Sequence, residues 1–335
     1  MSDKHPTSDK LGKAIQEINN RTLERFCCLA VSGVTDPALL SALQTVLDYW
    51  DEPFRPALTC LSCQAVGAPF DRAIDASAMF TLVSAGFGIH DDIIDKTSKK
   101  HFHKTVPEVF GIDGALLAGD LLIVKGSTLL GEITLNIPSP KSKRIVRAFE
   151  NAYTEICESE FMQQSYRRNL NVELEEYQKT LLKSAADLEA CAAIGALLGN
   201  GSEEEVTALS QFGRRIGFYQ RLLNDVIDCR NIEGNLSERL DNERIPLPIL
   251  YASKTPNAYT KIASIVNKKV ITPADVRTIL EICFQTEAFN YIKEIAKKNS
   301  AEACQSLNKL EHSPARMLLA KMNRKFLTDL SHLCL

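Results

Sequence analysis

Apolar residues recur at helical spacing along almost the whole 335-residue chain. An interval of three or four residues between apolar positions is typical of a helix with one face against a core, whereas a half-buried strand alternates every second residue. No stretch alternates for long enough to form a sheet, and no glycine-rich strand–turn–helix motif occurs. The sequence therefore predicts an all-α protein of about ten or more helices.

Two predicted helix starts combine a capping residue with a proline, which favours the first turn of a helix. Asp36 precedes Pro37, and Thr272 precedes Pro273 at the start of a helix that we expect to end near Ser300. Longer segments with helical spacing lie at residues 115–130, 145–166, 174–198 and 203–231.

Two polar segments interrupt the helical pattern, at residues 96–113 and 234–248. Pro246 and Pro248 cannot continue a helix, so we expect a break in the second segment. No linker or internal repeat divides the chain. We therefore expect one domain over residues 1–335, with a flexible polar N-terminus over residues 1–10.

The charge balance and the cysteines exclude several classes of protein. The net charge is −3, with 39 basic and 42 acidic residues, so no strong basic field is available to bind nucleic acid. No run of 18 apolar residues and no signal-peptide core occur, so we expect a cytoplasmic protein without a transmembrane segment. The ten cysteines lie mostly in apolar helical context and are expected to be buried free thiols; Cys60 and Cys63 lack the second ligand pair of a zinc site.

Two polar clusters lie at the ends of apolar helical segments. The first is Asp91, Asp92 and Asp95, and the second is Asn224, Asp225 and Asp228. In each cluster the first and last residues are one helical turn apart on the same face. Like charges at this spacing destabilise a helix, so a cation should compensate. Mg²⁺ binds carboxylates together with waters and phosphate oxygens, so the two clusters predict a diphosphate held by magnesium. Solvated acidic helix ends and a Ca²⁺ site are the alternatives.

These clusters and several further motifs, in the same order, resemble the trans-isoprenyl diphosphate synthase (polyprenyl synthetase) family. The motifs are Arg55-Pro56, HDDIID, GALLAGDLLI, Lys183-Ser184, NDVID and LPILYA. The resemblance extends over nearly the whole chain. It implies a single large helical bundle of the isoprenoid synthase type, with a central cavity between the helices that carry the two clusters. It also implies a homodimer, or a heteromer with a homologue.

The resemblance implies a reaction as well. In it, a magnesium-dependent prenyltransferase condenses an allylic diphosphate with isopentenyl diphosphate, and makes a short- or medium-chain all-trans prenyl diphosphate for isoprenoid biosynthesis. Preplaced cations stabilise the leaving diphosphate more in the transition state than in the ground state. The allylic cation needs an apolar cavity that excludes water.

Individual roles follow from the same resemblance. The catalytic residues would be Asp91, Asp92, Asp95, Lys183 and Asp225. About three Mg²⁺ ions would be bound by Asp91, Asp92, Asp95, Asn224, Asp225 and Asp228. Substrate would be bound by Arg55, Lys100, His101, Lys183, Arg221 and Phe87. Of these, Lys183 would contact the allylic diphosphate and Arg55 the diphosphate of the second substrate, and Phe87 would limit the product to about C15 to C25. The alternatives are a Lys183–Asp187 ion pair and a structural role for Arg55.

The chain departs from the family pattern mainly where isopentenyl diphosphate would bind. The departures are Glu52 in place of a lysine, Ser84 in place of a histidine, Lys100-His101 in place of two arginines, and Asn235 in place of a lysine. Arg221 also replaces a glutamine, and Asp187 stands where an apolar residue is usual. A lost charge-assisted phosphate contact costs roughly 1.5–3 kcal/mol. Three interpretations therefore stay open: a synthase with a rebuilt second-substrate site, a terpene synthase-like lyase or cyclase, and a non-catalytic regulatory subunit.

Overall fold

A computed structural model describes residues 6–100, 103–230 and 235–334. These ranges contain fifteen α-helices and one short hairpin, so the prediction of an all-α fold is confirmed. The helices are α1 (Pro6–Val31), α2 (Pro37–Tyr49), α3 (Phe54–Ala65), α4 (Ile74–Ile94), α5 (Val106–Leu135), α6 (Ser139–Gln164), α7 (Leu174–Lys183), α8 (Ala186–Leu198), α9 (Glu203–Arg230), α10 (Asn235–Asn242), α11 (Leu247–Ala252), α12 (Pro256–Val266), α13 (Pro273–Gln285), α14 (Ala288–Leu307) and α15 (Pro314–Leu333). The hairpin pairs β1 (Lys99–Lys100) with β2 (His103–Lys104), and a 3₁₀ turn over Phe70–Ala73 precedes α4.

The two predicted capped helix starts are confirmed. The side chain of Asp36 accepts a hydrogen bond of 2.8 Å from the backbone nitrogen of Leu39. Thr272 and Asp275 form a reciprocal capping box at the start of α13. Both devices satisfy backbone donors that the first turn of a helix leaves without a helical partner.

Two segments predicted as single helices are each divided in the structure. The segment 174–198 breaks at Ser184 and Ala185, between α7 and α8. The helix expected to end near Ser300 stops at Gln285, because Glu287 adopts a left-handed conformation with φ 57° before α14 begins. The apolar spacing continues across both breaks, so the sequence pattern did not reveal them.

The two polar segments are more helical than the sequence predicts. α5 begins at Val106 and α10 covers Asn235–Asn242, inside the segments expected to be loops. Pro107 and Pro248 lie in first turns, where a proline removes no helical hydrogen bond. At the N-terminus, α1 begins at Pro6, so residues 6–10 are helical; residues 1–5 lie outside the described residues, and the flexibility of residues 1–10 stays a prediction.

The chain separates into two compact units. Unit 1 consists of Met1–Phe149, Ala190–Ser210 and Lys309–Leu319, and unit 2 of Glu150–Glu189, Gln211–Asn308 and Ala320–Leu335. Four helices have residues in both: α6, α8, α9 and α15. One domain over the whole chain stays a prediction.

In unit 1, glycines allow α4 and α5 to pack closely. A Cβ atom on Gly86 would lie 2.6 Å from the carbonyl oxygen of Gly119 and 2.7 Å from Cγ1 of Ile123. One on Gly126 would lie 3.1 Å from the carbonyl oxygen of Met79. The half of α4 that leads to the first acidic cluster is therefore fixed against α5 by backbone contact. In unit 2, the short buried helix α11 packs on α13 and α14.

One helix among the described residues, Phe70–Ile94, is long and apolar enough to cross a membrane. Within its most apolar window, 72% is buried inside the protein, which is the pattern of a core helix. Most of the cysteines are also buried. Six of the ten are buried free thiols, whereas Cys28 and Cys157 are exposed. Burial raises the pKa of Cys60 to about 12 and that of Cys63 to about 11.

Candidate active site

The first acidic cluster ends α4 in unit 1. Asp92 lies on the same side as the apolar core and is 1% exposed, whereas Asp91 and Asp95 are half-buried. The backbone nitrogen of Asp95, the C-cap residue, donates to the carbonyl oxygen of Asp91 at 2.8 Å. The helix thus ends inside the cluster and holds carboxylates at two levels of burial.

The β1–β2 hairpin brings a lysine to the buried carboxylate. Nζ of Lys100 lies 2.7 Å from Oδ1 of Asp92. The hairpin is fixed by Thr105, whose hydroxyl donates to the carbonyl oxygen of Thr97 at 2.6 Å, and Thr97 in turn donates its backbone N–H to the carbonyl oxygen of Asp92. Burial raises the pKa of Asp92, and the positive charge of Lys100 offsets only part of that effect.

The first cluster is chemically suited to a divalent cation. Both carboxylate oxygens of Asp92 are buried, and among the described residues no donor besides the Lys100 ammonium lies against them. A buried carboxylate in that state is stabilised by a cation. In the described ranges, however, no three His, Cys, Asp or Glu side chains gather as a metal-binding group. An ion here needs further ligands, such as the waters and phosphate oxygens that Mg²⁺ usually retains.

Arg55 and Glu52 form an ion pair at the start of α3. Oε2 of Glu52 lies 2.9 Å from Nη1 of Arg55, and the same carboxylate accepts hydrogen bonds from the backbone nitrogens of Phe54 and Arg55. Glu52 therefore acts as the capping side chain of α3 and as the counter-ion of Arg55. A phosphate that binds Arg55 has to compete with this carboxylate.

The other predicted residues of unit 1 have distinct positions. Phe87 is half-buried and precedes Asp91 by one helical turn, so the two share a face of α4. Ile89 is buried. His101 lies outside the described residues.

The second cluster lies near the end of α9 in unit 2, and its central residue is fully buried. The carboxylate of Asp225 accepts four hydrogen bonds, which come from Oη of Tyr177 at 2.8 Å, Nη2 of Arg239 at 2.5 Å, Nη2 of Arg244 at 2.9 Å and the backbone nitrogen of Leu247 at 3.0 Å. Burial alone would raise the pKa of Asp225, but Arg244, Arg239 and the other donors outweigh it and hold the pKa below its ordinary value.

The members of the second cluster differ in their availability to a metal. Asp228 pairs with Arg239, and Asn224 is exposed. A cation at Asp225 would have to displace one of its four donors. The oxygens of Asn224 and Asp228 fit a metal ion better than those of Asp225, and a magnesium role for Asp225 stays a prediction.

The junction between α7 and α8 carries Lys183, whose ammonium group pairs with Glu158. The basic group beside Asp187 is Arg221 of α9, with 3.9 Å between Nη2 and Oδ2. Nη2 of Arg221 also donates to the carbonyl oxygen of Ser184 at 3.0 Å. The structure therefore gives Asp187 a different partner from the Lys183 that the sequence suggested.

Unit 1 thus brings together Asp92 and Lys100, and unit 2 brings Arg221 to the residue after Lys183. That both clusters act on one diphosphate stays a prediction. The sequence analysis missed Tyr177, Arg239 and Arg244. Their only signal was indirect: a buried aspartate requires positive partners, but nothing in the sequence showed which basic residues would supply them.

The comparisons with known proteins agree with this fold. The family model described as polyprenyl synthetase matches residues 37–283. The chain is 28% identical over 313 residues to a short chain isoprenyl diphosphate synthase of Methanothermobacter thermautotrophicus, covering 90% of this chain and 94% of that protein. It is also 28% identical over 313 residues to a geranylgeranyl diphosphate synthase of Methanosarcina mazei, covering 92% and 95%.

A solved structure gives the same result. The geranylgeranyl pyrophosphate synthetase of Pyrococcus horikoshii superposes with a TM-score of 0.85 at 25% identity, covering 96% of this chain and 99% of that one. This chain belongs to the polyprenyl synthetase family. It is a trans-prenyltransferase of the prenyl diphosphate synthase type.

Proposed function

We propose that this protein condenses an allylic diphosphate with isopentenyl diphosphate and releases an all-trans prenyl diphosphate of short or medium length. The observation that carries the proposal is the buried carboxylate of Asp92, which ends an apolar helix in the motif HDDIID and lies beside Lys100. A carboxylate in such a place is costly unless it serves a cation. Membership of the family supplies the reaction type.

Five residues are the proposed magnesium ligands. They are Asp91, Asp92 and Asp95 of the first cluster and Asn224 and Asp228 of the second. Bound magnesium would neutralise the negative charge that develops on the leaving diphosphate. The role of the protein is to hold these oxygens near the ends of two helices, α4 and α9.

Lys183 and Arg221 are the proposed cationic contacts of the allylic diphosphate. Lys183 ends α7, and Arg221 is bonded to the carbonyl oxygen of the next residue, Ser184. Arg221 also precedes Asp225 by one turn on the same face of α9. A diphosphate at the second cluster would therefore meet both cations.

The length of the product is the next part of the proposal. Phe87 shares a face of α4 with Asp91, so we expect it to meet the growing tail of a chain whose diphosphate is held at the first cluster. This position limits the product to about C15 to C25. Two relatives from Methanosarcina mazei carry the names geranylgeranyl and geranylfarnesyl diphosphate synthase, which supports that range.

The binding of isopentenyl diphosphate is the weakest part of the site. Arg55, Lys100 and His101 are its proposed contacts, yet Glu52 already pairs with Arg55 and Asp92 already pairs with Lys100. These two ion pairs favour a second candidate, a lyase or cyclase that ionises an allylic diphosphate without a co-substrate. Family membership favours the condensation.

One assay separates the candidates. The pure protein is incubated with Mg²⁺, geranyl or farnesyl diphosphate and labelled isopentenyl diphosphate, with a sample in excess EDTA as the control. Label in a longer prenyl diphosphate supports the condensation. Diphosphate release with an unlabelled hydrocarbon or alcohol would establish the lyase. No turnover alone, with altered products when a homologue is added, would establish the regulatory subunit.

The Glu52–Arg55 pair offers a sharper test of the second-substrate site. Glu52→Lys removes the competing carboxylate and adds a cation, so the KM for isopentenyl diphosphate should fall by about tenfold or more. The KM for the allylic diphosphate should not change. Glu108→Lys is the control, because Glu108 forms an exposed ion pair with Lys104. An unchanged KM in Glu52→Lys would remove Arg55 from the site.

We also propose that the protein is a homodimer joined through α5. Three large apolar residues of this helix share one face and are exposed, namely Leu117 at 66%, Val124 at 58% and Leu135 at 79%. Gly131 lies between them and has no other atoms within 4 Å of a Cβ built on it. An apolar stripe of this kind suits the same stripe on a second copy.

A further inference from the structure

Two arginines of α9 hold the junction that carries Lys183. α7 ends at this lysine, so its last carbonyl groups have no helical partner. Nη1 of Arg214 donates to the carbonyl oxygens of Leu182 at 3.0 Å and Lys183 at 3.4 Å. Nη2 of Arg221, two turns further along α9, donates to the carbonyl oxygen of Ser184 at 3.0 Å. Three consecutive carbonyl groups are thus fixed by one face of α9.

A glycine between the two arginines brings the backbones together. A Cβ atom on Gly217 would lie 2.7 Å from Cβ of Ala185 and 3.0 Å from its carbonyl oxygen. The junction therefore packs directly against α9, and the guanidinium groups of Arg214 and Arg221 form hydrogen bonds with it on either side of this contact.

The two arginines differ in how fully their donors are used. Arg214 bonds both carboxylate oxygens of Glu155 and one of Glu189, in addition to its two carbonyl groups. Arg221 makes one hydrogen bond within the part of the chain that the structure describes, and its side chain is 26% exposed. A guanidinium group has five N–H donors. Arg214 therefore has a structural role, whereas Arg221 retains N–H donors that can bind a ligand.

Asp187 is the counter-ion of Arg221, the arginine with fewer hydrogen bonds. Its carboxylate lies 3.9 Å from Nη2 of Arg221, and its side chain is 3% exposed. A buried carboxylate is stabilised by a nearby positive charge, and Arg221 supplies one to Asp187.

We propose that Asp187 is a positioning residue for catalysis: together with the carbonyl group of Ser184, it holds one edge of the Arg221 guanidinium so that the remaining N–H donors bind the allylic diphosphate beside Lys183. This inference rests on the proposed function. In this inference, Arg221 adds a cation to the proposed binding site of the allylic diphosphate, and Asp187 orients it.

The test is a double-mutant cycle with Arg221→Gln and Asp187→Leu. Arg221→Gln should raise the KM for the allylic diphosphate by about tenfold or more, because a charge-assisted contact is lost. Asp187→Leu should raise the same KM several-fold and leave the KM for isopentenyl diphosphate unchanged. The double variant should match Arg221→Gln alone, since Asp187 acts only through Arg221.

A binding measurement gives a readout besides activity. Calorimetry with inorganic pyrophosphate and Mg²⁺ should show weaker binding in Arg221→Gln and Asp187→Leu. Arg215→Gln is the matched control on the same helix, since Arg215 pairs with Glu302, and it should bind as the wild type does. Thermal unfolding of every variant shows that it is folded. Should Asp187→Leu fail to fold, Asp187→Asn takes its place in the cycle.

Each result decides the inference. Additive effects of the two substitutions, or an allylic KM and a pyrophosphate affinity that Asp187→Leu leaves unchanged, would reduce Asp187 to an acid in the first turn of α8 that stabilises only the helix. A wild-type protein that transfers no prenyl group would overturn the proposed function instead. In that case the calorimetry still shows whether Asp187 orients Arg221 toward pyrophosphate.

Discussion

The phenolic group of Tyr177 donates a hydrogen bond of 2.8 Å to the buried carboxylate of Asp225. Tyr177→Phe removes this donor and keeps the ring, so we expect the free energy of unfolding to fall by about 1.5–3 kcal/mol, the range for a hydrogen bond to a charged group. Urea denaturation measures the change. Tyr259→Phe is the control, because its exposed hydroxyl lies 3.4 Å from Asn171. Equal losses in the two variants would contradict the prediction.

The close packing of α4 and α5 gives a second prediction. Gly86→Ala places a methyl group 2.6 Å from the carbonyl oxygen of Gly119, so the helices have to separate. We expect a loss of about 1–3 kcal/mol in the free energy of unfolding. Gly12→Ala in α1 meets no atom within 4 Å and should instead gain up to about 1 kcal/mol. Denaturant titrations of both variants check the contrast in sign.

Product length tests the position of Phe87. Phe87→Ala removes the proposed floor, so products should become longer by one or more isoprene units, as seen by chromatography of the dephosphorylated alcohols. Phe161→Ala is the control, since Phe161 is 83% exposed. An unchanged product in Phe87→Ala would place the floor elsewhere.

The capping box of α13 gives a prediction about pH. The carboxylate of Asp275 accepts hydrogen bonds from Nζ of Lys268 and from the backbone and hydroxyl of Thr272, and these lower its pKa to about 2. A lowered pKa in the folded state stabilises the protein above the unfolded pKa of about 4, and this stability is lost as the pH falls toward 2. Asp275→Asn should therefore be less stable than the wild type at pH 6, and the difference should shrink between pH 4 and pH 3. A difference independent of pH would show that the carboxylate charge is unimportant.

The apolar stripe on α5 predicts the effect of a charge. Leu117→Glu should convert a dimer of twice 37.2 kDa into a monomer in light scattering, because a buried unpaired carboxylate opposes association. Val270→Glu changes another apolar residue, 72% exposed in a loop, and should leave the mass unchanged. A monomeric wild type at micromolar concentration would exclude the proposed dimer.

Local signals in the sequence predicted much of this fold. Asp36, Thr272 and the two acidic clusters were each recognisable within a few residues, because a cap or a helix face depends on near neighbours. The breaks at Ser184 and Glu287 were not, since the apolar spacing on both sides stays in phase with a helix.

The sequence also could not show which basic residues pair with the acidic residues. Asp225 is bonded by Arg239 and Arg244, and Asp92 lies beside Lys100. Such pairs depend on how separate elements pack, and a chain with 39 basic residues offers many equivalent choices. Chemistry predicted that a counter-ion exists, and only the three-dimensional structure identified it.

The donors that surround Asp225 come from distant parts of the chain. Tyr177 lies 48 residues before it and Leu247 lies 22 residues after it. During synthesis on the ribosome, α9 emerges before three of the four donors, so we expect Asp225 to stay hydrated until Leu247 has left the exit tunnel. A nascent chain that stops short of Leu247 therefore lacks the means to bury the end of α9, and unit 2 should fold late, as a single cooperative event.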